Sequence, residues 1–407
     1  MSHSSHSLAG QSLGISWVLS TISGYGIYGI QTALQFLRRG GEQMILGQAP
    51  SVVALPPLPE LALSPAFQLG HKLQAFRDQN PEELLMFRHP VLHGSSSNFA
   101  GFAGQDKVWG APNVCCAAIE QLYTTDHGMK IAKNYDRFIA ISQWNADFLR
   151  SLNVGPVDLC YQGIDPVLFQ PGPRYNLHPN RFVIFSGGKF EFRKGQDIVI
   201  AAFKRFRQKH PDALLITCWQ NVLMPEGEAF ARTGYIDGVP EAAMSNGVQH
   251  GLQMTPWLLK QGLPRDSFID LPFVHNQLMP SVLRECDIAI FPNRCEGGTN
   301  LVAMECMASG VPTYVAYNTG QKDLVDLIGC EALRTQRPVT PSSDMVTTQD
   351  WGETNIDEMV AALEHVYTNR SSAQGKAAAV AARMKDWEWP ALNDKLLDVV
   401  FAGGSRA

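Results

Sequence analysis

Apolar and polar positions alternate along this chain in two series, each a succession of short apolar runs followed by stretches with helical spacing. The first series opens at Ile15-Ser-Trp-Val-Leu19 and passes through a glycine-rich turn, Ser23-Gly-Tyr-Gly-Ile-Tyr-Gly29, into a helix-like run ending at Arg39. After Gly40-Gly41 it reaches a second apolar run, Met44-Ile-Leu46. The pattern predicts strand, loop, helix, strand. From Ser51 to Leu69 the chain stays apolar but is broken by prolines, which remove backbone donors, so this stretch is read as an ordered surface loop. Asp136-Arg-Phe-Ile-Ala-Ile141 predicts the next strand, with Ser142 capping a helix that runs to Leu152.

Gly163-Ile-Asp-Pro166 and Gln170-Pro-Gly-Pro173 interrupt all periodicity and mark a domain boundary. The second series follows: a strand at Phe182-Val-Ile-Phe185, a helix from Asp197 to Gln208, and a strand at Ala213-Leu-Leu-Ile-Thr217. Beyond them lie a strand at Asp287-Ile-Ala-Ile-Phe291, a helix from Leu301 to Ser309 closed by Gly310 and Pro312, and a strand at Thr313-Tyr-Val-Ala-Tyr317. Strands alternating with helices predict an α/β protein with parallel sheets covered on both faces. Between Asn221 and Gly251 periodicity is weak, and a long loop with a short helix is expected.

Composition narrows the function classes. With 33 Lys and Arg against 38 Asp and Glu there is no broad basic field, which argues against nucleic acid as a partner. The eight cysteines form no CxxC pair and sit largely in apolar runs, as expected of buried thiols in a reducing compartment. Met1 to Gln11 lacks the pattern of a signal peptide, and no apolar stretch reaches the ~20 residues needed to span a bilayer, so a cytoplasmic location is expected.

The segment richest in chemistry is Phe291-Pro-Asn-Arg-Cys-Glu-Gly-Gly-Thr-Asn-Leu-Val-Ala-Met-Glu-Cys-Met-Ala-Ser-Gly-Val-Pro312. It sets two carboxylates, Glu296 and Glu305, around a glycine loop that opens a helix. Gly297 and Gly298 allow close backbone approach, and the amides of Thr299, Asn300 and Leu301 lie at the positive end of the helix dipole, where an anionic or hydroxyl oxygen is favoured. The competing account makes Thr299 or Asn300 a plain cap and Gly310 a helix stop. It leaves unexplained why a glycine pair is flanked by two acids. A second loop, Ser186-Gly-Gly-Lys-Phe-Glu-Phe-Arg-Lys-Gly195, follows a strand and precedes a helix, so Lys189 and Lys194 could bring two positive charges to one diphosphate. Gly24-Tyr-Gly-Ile-Tyr-Gly29 matches GxGxxG, but the acid expected after the next strand is absent and nicotinamide binding is disfavoured. No Asp-x-Asp triplet and no His or Cys cluster has metal-ligand spacing, so neither a metal nor a cofactor is expected.

These two loops resemble those of glycosyltransferase family 4, retaining enzymes of the GT-B fold, in which two Rossmann-like domains with mainly parallel sheets face each other across a cleft. The resemblance is strongest at 291–312, good at 182–204, visible at 136–173 and nearly absent from 48 to 105. It implies metal-independent sugar transfer from a nucleotide-diphosphate donor. The domains would be an acceptor domain over 1–170, a donor domain over 171–380, and a final helix over 381–407 crossing back to the first, packed through Trp387 and Trp389. By the same resemblance Glu305 would hold the donor ribose, Glu296 would lie near the donor sugar, and Lys189 and Lys194 would hold the diphosphate. Gly26 and His93 would line the cleft from the N-terminal domain, with His93, Glu296 and Lys194 as the candidate catalytic set; Glu120 falls in the same region. Eight residues separate Glu296 from Glu305, one more than is usual in the family. The acceptor, whether carbohydrate, lipid-linked or protein, is not legible, and the 51–69 stretch is a candidate for peripheral membrane contact. A non-catalytic sugar-nucleotide-binding scaffold and a sugar-nucleotide epimerase of the same fold are the alternatives.

Overall fold

The computed structural model describes residues 7–402. They form two compact units. The first comprises residues up to 165, with 275–277 and the segment from 386 onward; the second comprises 166–274 and 278–385.

The first unit is built on six parallel strands: β1 (Ser12–Ile15), β2 (Gln43–Leu46), β3 (Val91–Ser95), β4 (Asn113–Ala117), β5 (Arg137–Ala140) and β6 (Val157–Leu159), in the spatial order β2-β1-β3-β4-β5-β6. The first strand lies three residues earlier than the apolar run at 15–19 suggests, because Ser12 to Ile15 pair with Gln43 to Leu46. Trp17 and Leu19 are buried for a different reason. They belong to the loop after the strand, where the Trp17 indole donates to the Tyr25 carbonyl (2.8 Å) and stacks on Tyr28. Helix α1 (Gly24–Arg38) follows, capped by Ser23, whose hydroxyl accepts from the Gly26 amide.

The 51–69 stretch departs from its expected loop. Residues Pro57–Gln79 form a helix, α2. Pro57 and Pro59 fall in the first turn, where an amide has no intrahelical acceptor, so only Pro65 removes a helical hydrogen bond. Leu63, Ala66 and Gly70 recur at helical spacing and are buried, and Gly70 lets α2 close on Leu46 and the Gln48 carbonyl. Leu58 and Leu61 remain exposed. As expected, Ser142 caps the helix Gln143–Ser151 (α3), accepting from the Asn145 amide.

The second unit repeats the plan: β7 (Phe182–Gly187), α4 (Gln196–Lys209), β8 (Ala213–Cys218), β9 (Phe268–Asp270), β10 (Ile288–Phe291), α5 (Leu301–Ala308), β11 (Thr313–Ala316) and β12 (Glu331–Leu333). All six strands are parallel, in the order β9-β8-β7-β10-β11-β12. This is the doubly wound order, in which the chain runs outward from β7 to one edge and then returns to run outward from β10 to the other. The weakly periodic 221–251 region holds a short helix, Gly227–Thr233, and also a hairpin, Ala242–Ser245 with Val248–Leu252. Asn246 and Gly247 turn that hairpin with positive φ, the backbone that an Asn-Gly pair tolerates and most residues do not.

The last helix, α6 (Trp389–Phe401), belongs to the first unit and lies along α1. Trp389 stacks on Tyr28 and Trp387 packs tilted against Tyr161, so both tryptophans serve packing. Arg39 of the first unit pairs with Asp398 (2.7 Å). Among the described residues no helix is long and apolar enough to cross a membrane.

Candidate donor site

In a doubly wound sheet, ligands bind beyond the carboxyl ends of the strands where the chain order reverses. In the second unit that point lies between β7 and β10, and the two loops singled out in the sequence leave these two strand ends. After β7 the chain makes a tight turn, Phe192–Lys194, and enters α4 through Gly195, whose φ is +71°. A Cβ at Gly195 would sit 2.4 Å from the Pro292 carbonyl oxygen, so only glycine lets the two loops meet this closely.

Their junction is clasped by Arg294, which the sequence reading did not single out. Its guanidinium is fully buried and forked onto Asp197 (2.7 and 2.8 Å). It also bonds Glu353 (2.9 and 3.1 Å) and the Phe192 carbonyl (2.7 Å), and lies 4.0 Å over the Phe192 ring. The Arg294 amide donates to the Arg193 carbonyl at 2.6 Å. A buried arginine between two carboxylates and a carbonyl fixes the course of both loops.

Lys194 and Glu296 come together on this frame as a buried ion pair, with Arg193 Nη1 3.0 Å from the same carboxylate and Asn293 donating to it through its amide. Burial pushes the Glu296 pKa up, but the charges of Lys194 and Arg193 outweigh it and hold the carboxyl below its ordinary value. For Lys194 burial dominates and lowers the pKa, opposed by Glu296. Lys189 is placed differently from expectation. Its side chain is half exposed and pairs with Glu191 (2.7 Å), and Arg193 takes the place beside Lys194. The cluster therefore contains three cations, Lys189, Arg193 and Lys194, against two carboxylates, Glu191 and Glu296. Arg193, Glu191 and Asn293 were missed because nothing in their spacing distinguishes them from loop polar residues, although Arg193 directly precedes Lys194.

Glu191 offers a direct test of this electrostatic frame. Burial raises its pKa, yet Arg193, Lys189 and Lys194 bring it down to about 2 against an ordinary 4.5. A carboxyl whose pKa is depressed by folding contributes stability above its unfolded pKa, and that contribution is lost as pH falls through the folded value. Urea titrations of wild type and Glu191→Gln are thus expected to show a stability difference at pH 6 that shrinks between pH 4.5 and 2. A difference independent of pH would refute the pairing.

The Gly297-Gly298 loop is held from behind by the segment after β11. Thr319 Oγ1 accepts from the Glu296 amide (2.9 Å), and the Gly320 amide donates to the Glu296 carbonyl (3.0 Å). The Thr299 hydroxyl turns inward to Met304 Sδ (3.1 Å). Asn300, at φ +77°, caps α5 by accepting from the Ala303 amide while its own amide reaches Gln321. These two side chains have structural uses, and what the loop presents is the opening turn of α5 at Leu301, where backbone amides lack intrahelical acceptors. Glu305 lies one turn further along α5, buried, and its charge acts with burial to push the Cys218 thiol at the end of β8 up to about 12. A Cβ on Gly187, the last residue of β7, would lie 2.9 Å from Val302, so α5 rides directly on the ends of the central strands.

The N-terminal candidates lie in the first unit. His93, on β3, is enclosed between Trp109 and Tyr135, and its Nε2 is 3.0 Å from Asn113 Oδ1. Burial lowers its pKa to about 4, which keeps the ring neutral near pH 7. Gly26 is pressed on the backbone of Ser20, 2.4 Å from the position of a Cβ, so its lack of a side chain serves packing of α1. Glu120 lies after β4, where its amide donates to Ser97 Oγ (3.3 Å). The basic run at 204–210 is spent in structural pairs, Arg205 with Asp357, Arg207 with Asp266, and Lys209 and His210 with Glu364.

Residues 272–396 match the model of the family described as family 4 glycosyltransferase in conflict systems. No curated protein sequence matches the chain. Its fold is similar to that of sucrose-phosphate synthase from Thermosynechococcus elongatus, with TM-score 0.62 and 14% identity over 98% of this chain and 100% of that one. It is also similar to Anabaena HepE, solved in complex with UDP and glucose, with TM-score 0.58 and 16% identity over 96% and 100%. A third similar structure is the trehalose-6-phosphate synthase of Burkholderia multivorans, with TM-score 0.58 and 12% identity over 98% and 99%. The matched segment spans the loop of Glu296 and Glu305, and the similar folds span nearly the whole chain. The resemblance drawn from its two loops is therefore supported over residues 272–396, and the chain as a whole has the GT-B fold of these glycosyltransferases.

Proposed function

We propose that the chain transfers a sugar, with retention of anomeric configuration, from a nucleotide-diphosphate donor bound at the β7–β10 switch point. The observation that carries this reading is the meeting of Lys194 and Arg193 on Glu296 beside the opening turn of α5. Together they form a partly buried, net positive cradle for a diphosphate. When the bond between the anomeric carbon and the diphosphate oxygen breaks, its electron pair stays with that oxygen. Lys194, Arg193 and the first amides of α5 stabilise the growing charge, which favours the transition state over the ground state. The acceptor hydroxyl forms the new bond on the same face and its proton departs with the diphosphate. Because side chains supply the positive charge, activity is expected to survive metal chelation. In the free protein Glu296 occupies the cations that a phosphate would take. Donor binding exchanges one anion for another and frees Glu296 for the sugar hydroxyls, while Glu305 takes the ribose hydroxyls.

A thermal-shift screen of UDP-, GDP- and ADP-sugars tests the site. One donor class is expected to raise the melting temperature of wild type in proportion to the logarithm of its saturation, and to lose that effect in Glu305→Ala. No stabilisation by any sugar nucleotide, or an equal shift in the variant, would sink the proposed site. Binding without release or transfer of sugar would instead indicate a scaffold, and the anomeric proton coupling of the product decides retention.

A further inference from the structure

The first sheet has a switch point of its own, between β1 and β3, and the loops at its carboxyl edge have an unusual shared chemistry. The six segments that leave the strand ends, residues 16–23, 47–56, 96–104, 118–125, 141–142 and 160–165, contain no lysine and no arginine. They carry hydroxyls, among them Ser20, Ser96 and Tyr123, and two carboxylates, Glu120 and Asp165. Arg77 approaches from α2, but it donates to the carbonyls of Gly47 (2.6 Å) and Gly104 (2.8 Å). Of the helices that follow these strands, three are capped by their own residues, and α2 opens on Pro57 and Pro59, which carry no amide hydrogen to offer. Ser23 accepts from the Gly26 amide, Thr125 from Gly128 and Ser142 from Asn145, each at 3.2 Å. Neither of the usual ways to hold a phosphate, a basic side chain or an open helix N-terminus, is presented here.

What the edge does present is an aromatic surface set between the two switch-point loops. Tyr25, which follows β1, donates its hydroxyl to the carbonyls of Ser95 (3.0 Å) and Cys116 (2.8 Å) at the ends of β3 and β4. Phe102, from the loop after β3, meets it edge-on at 4.8 Å and stays 37% exposed. Gly94 makes room for both, since a Cβ there would lie 2.5 Å from Phe102 and 3.1 Å from Tyr25. The Phe102 loop is held in a strained form, with Asn98 at φ +58° and Phe99 at φ +56°. Asn98 Oδ1 accepts from the Thr125 amide (2.8 Å), and Ser97 Oγ from the Gln121 amide (2.9 Å), so the loop after β4 braces it. Strain kept in place by such bracing concentrates where a loop must be pre-shaped for a ligand.

We propose that this edge takes the acceptor as a neutral, non-phosphorylated carbohydrate, with an apolar ring face on Phe102 and its hydroxyls toward the serine and glutamate side chains around it. The inference rests on the glycosyl-transfer reading above, and its test is arranged so that the two fail separately. Donor binding is first measured by calorimetry with the sugar nucleotide that gives the thermal shift; if none binds, it is the donor site that has failed. Initial rates are then measured for neutral sugars paired with their own phosphate monoesters, such as glucose with glucose 6-phosphate. The neutral member is expected to be preferred at least ~10-fold in kcat/KM, and Phe102→Ala to raise the acceptor KM several-fold with donor affinity unchanged. Equal or better use of the phosphate ester, a wild-type acceptor KM in Phe102→Ala, or transfer to neither member of any pair by a donor-loaded protein would overturn the proposal.

Discussion

Lys194→Ala is expected to lower kcat/KM for glycosyl transfer by about 10²- to 10³-fold, the cost typical of removing one preorganised group that stabilises a developing anion. The loss should fall mainly on kcat, because the charge that Lys194 meets is greatest as the diphosphate departs. Two controls separate chemistry from folding. Lys194→Ala leaves Glu296 with Arg193 and Asn293, so the carboxylate keeps partners and the variant should stay folded. Lys194→Arg keeps the charge on a bulkier fork and should recover part of the rate. Steady-state rates on the donor that binds decide the matter: a variant within ~3-fold of wild type would mean that Lys194 does not stabilise the leaving group.

Arg294→Met is expected to cost about 3–5 kcal/mol of folding stability, the largest single effect in the second unit. The reason is what would remain. Asp197, fully buried, would lose the guanidinium forked onto it and become a stranded charge, far more costly than the missing bonds alone, whereas Glu353 would keep its pairing with Arg337. Methionine is chosen because it fills most of the volume, so that cavity formation does not dominate. Urea unfolding at pH 7 measures the change. A loss below ~1 kcal/mol would show that the network is dispensable. Asp197→Asn added to Arg294→Met should restore much of the stability by removing the stranded charge, whereas Glu353→Gln added instead should restore little, because Glu353 still has Arg337.

The two loops of the candidate site were legible in the sequence because their signals are local. A glycine pair between two acids, a basic turn between a strand and a helix, and apolar runs of strand length all lie within a few residues of one another. The same holds for Ser142, whose capping role needs only the three residues that follow it. Failures came where the cause is distant or depends on position within an element. The prolines of α2 read as breakers because a proline is harmless in a first turn and harmful later, and the sequence does not show where the helix starts. Asn246-Gly247 was a readable hairpin signal, obscured by the weak alternation of the strands that flank it. Arg294 gave no signal at all. Its partners Asp197 and Glu353 are 97 and 59 positions away.

The sequence by itself therefore determined the α/β class, the resemblance to family 4 and the two loops that meet at the β7–β10 switch point, since each depends on short-range pattern and chemical type. Only the tertiary structure decided which cations share Glu296. Strand order brings the ends of β7 and β10 side by side, and the turn into Gly195 aims Arg193, not Lys189, at that carboxylate. It alone turned Thr299 and Asn300 to structural use and His93 into a neutral, enclosed ring. Side-chain direction, burial and partner choice are set by parallel packing across tens of residues, and no local pattern encodes them.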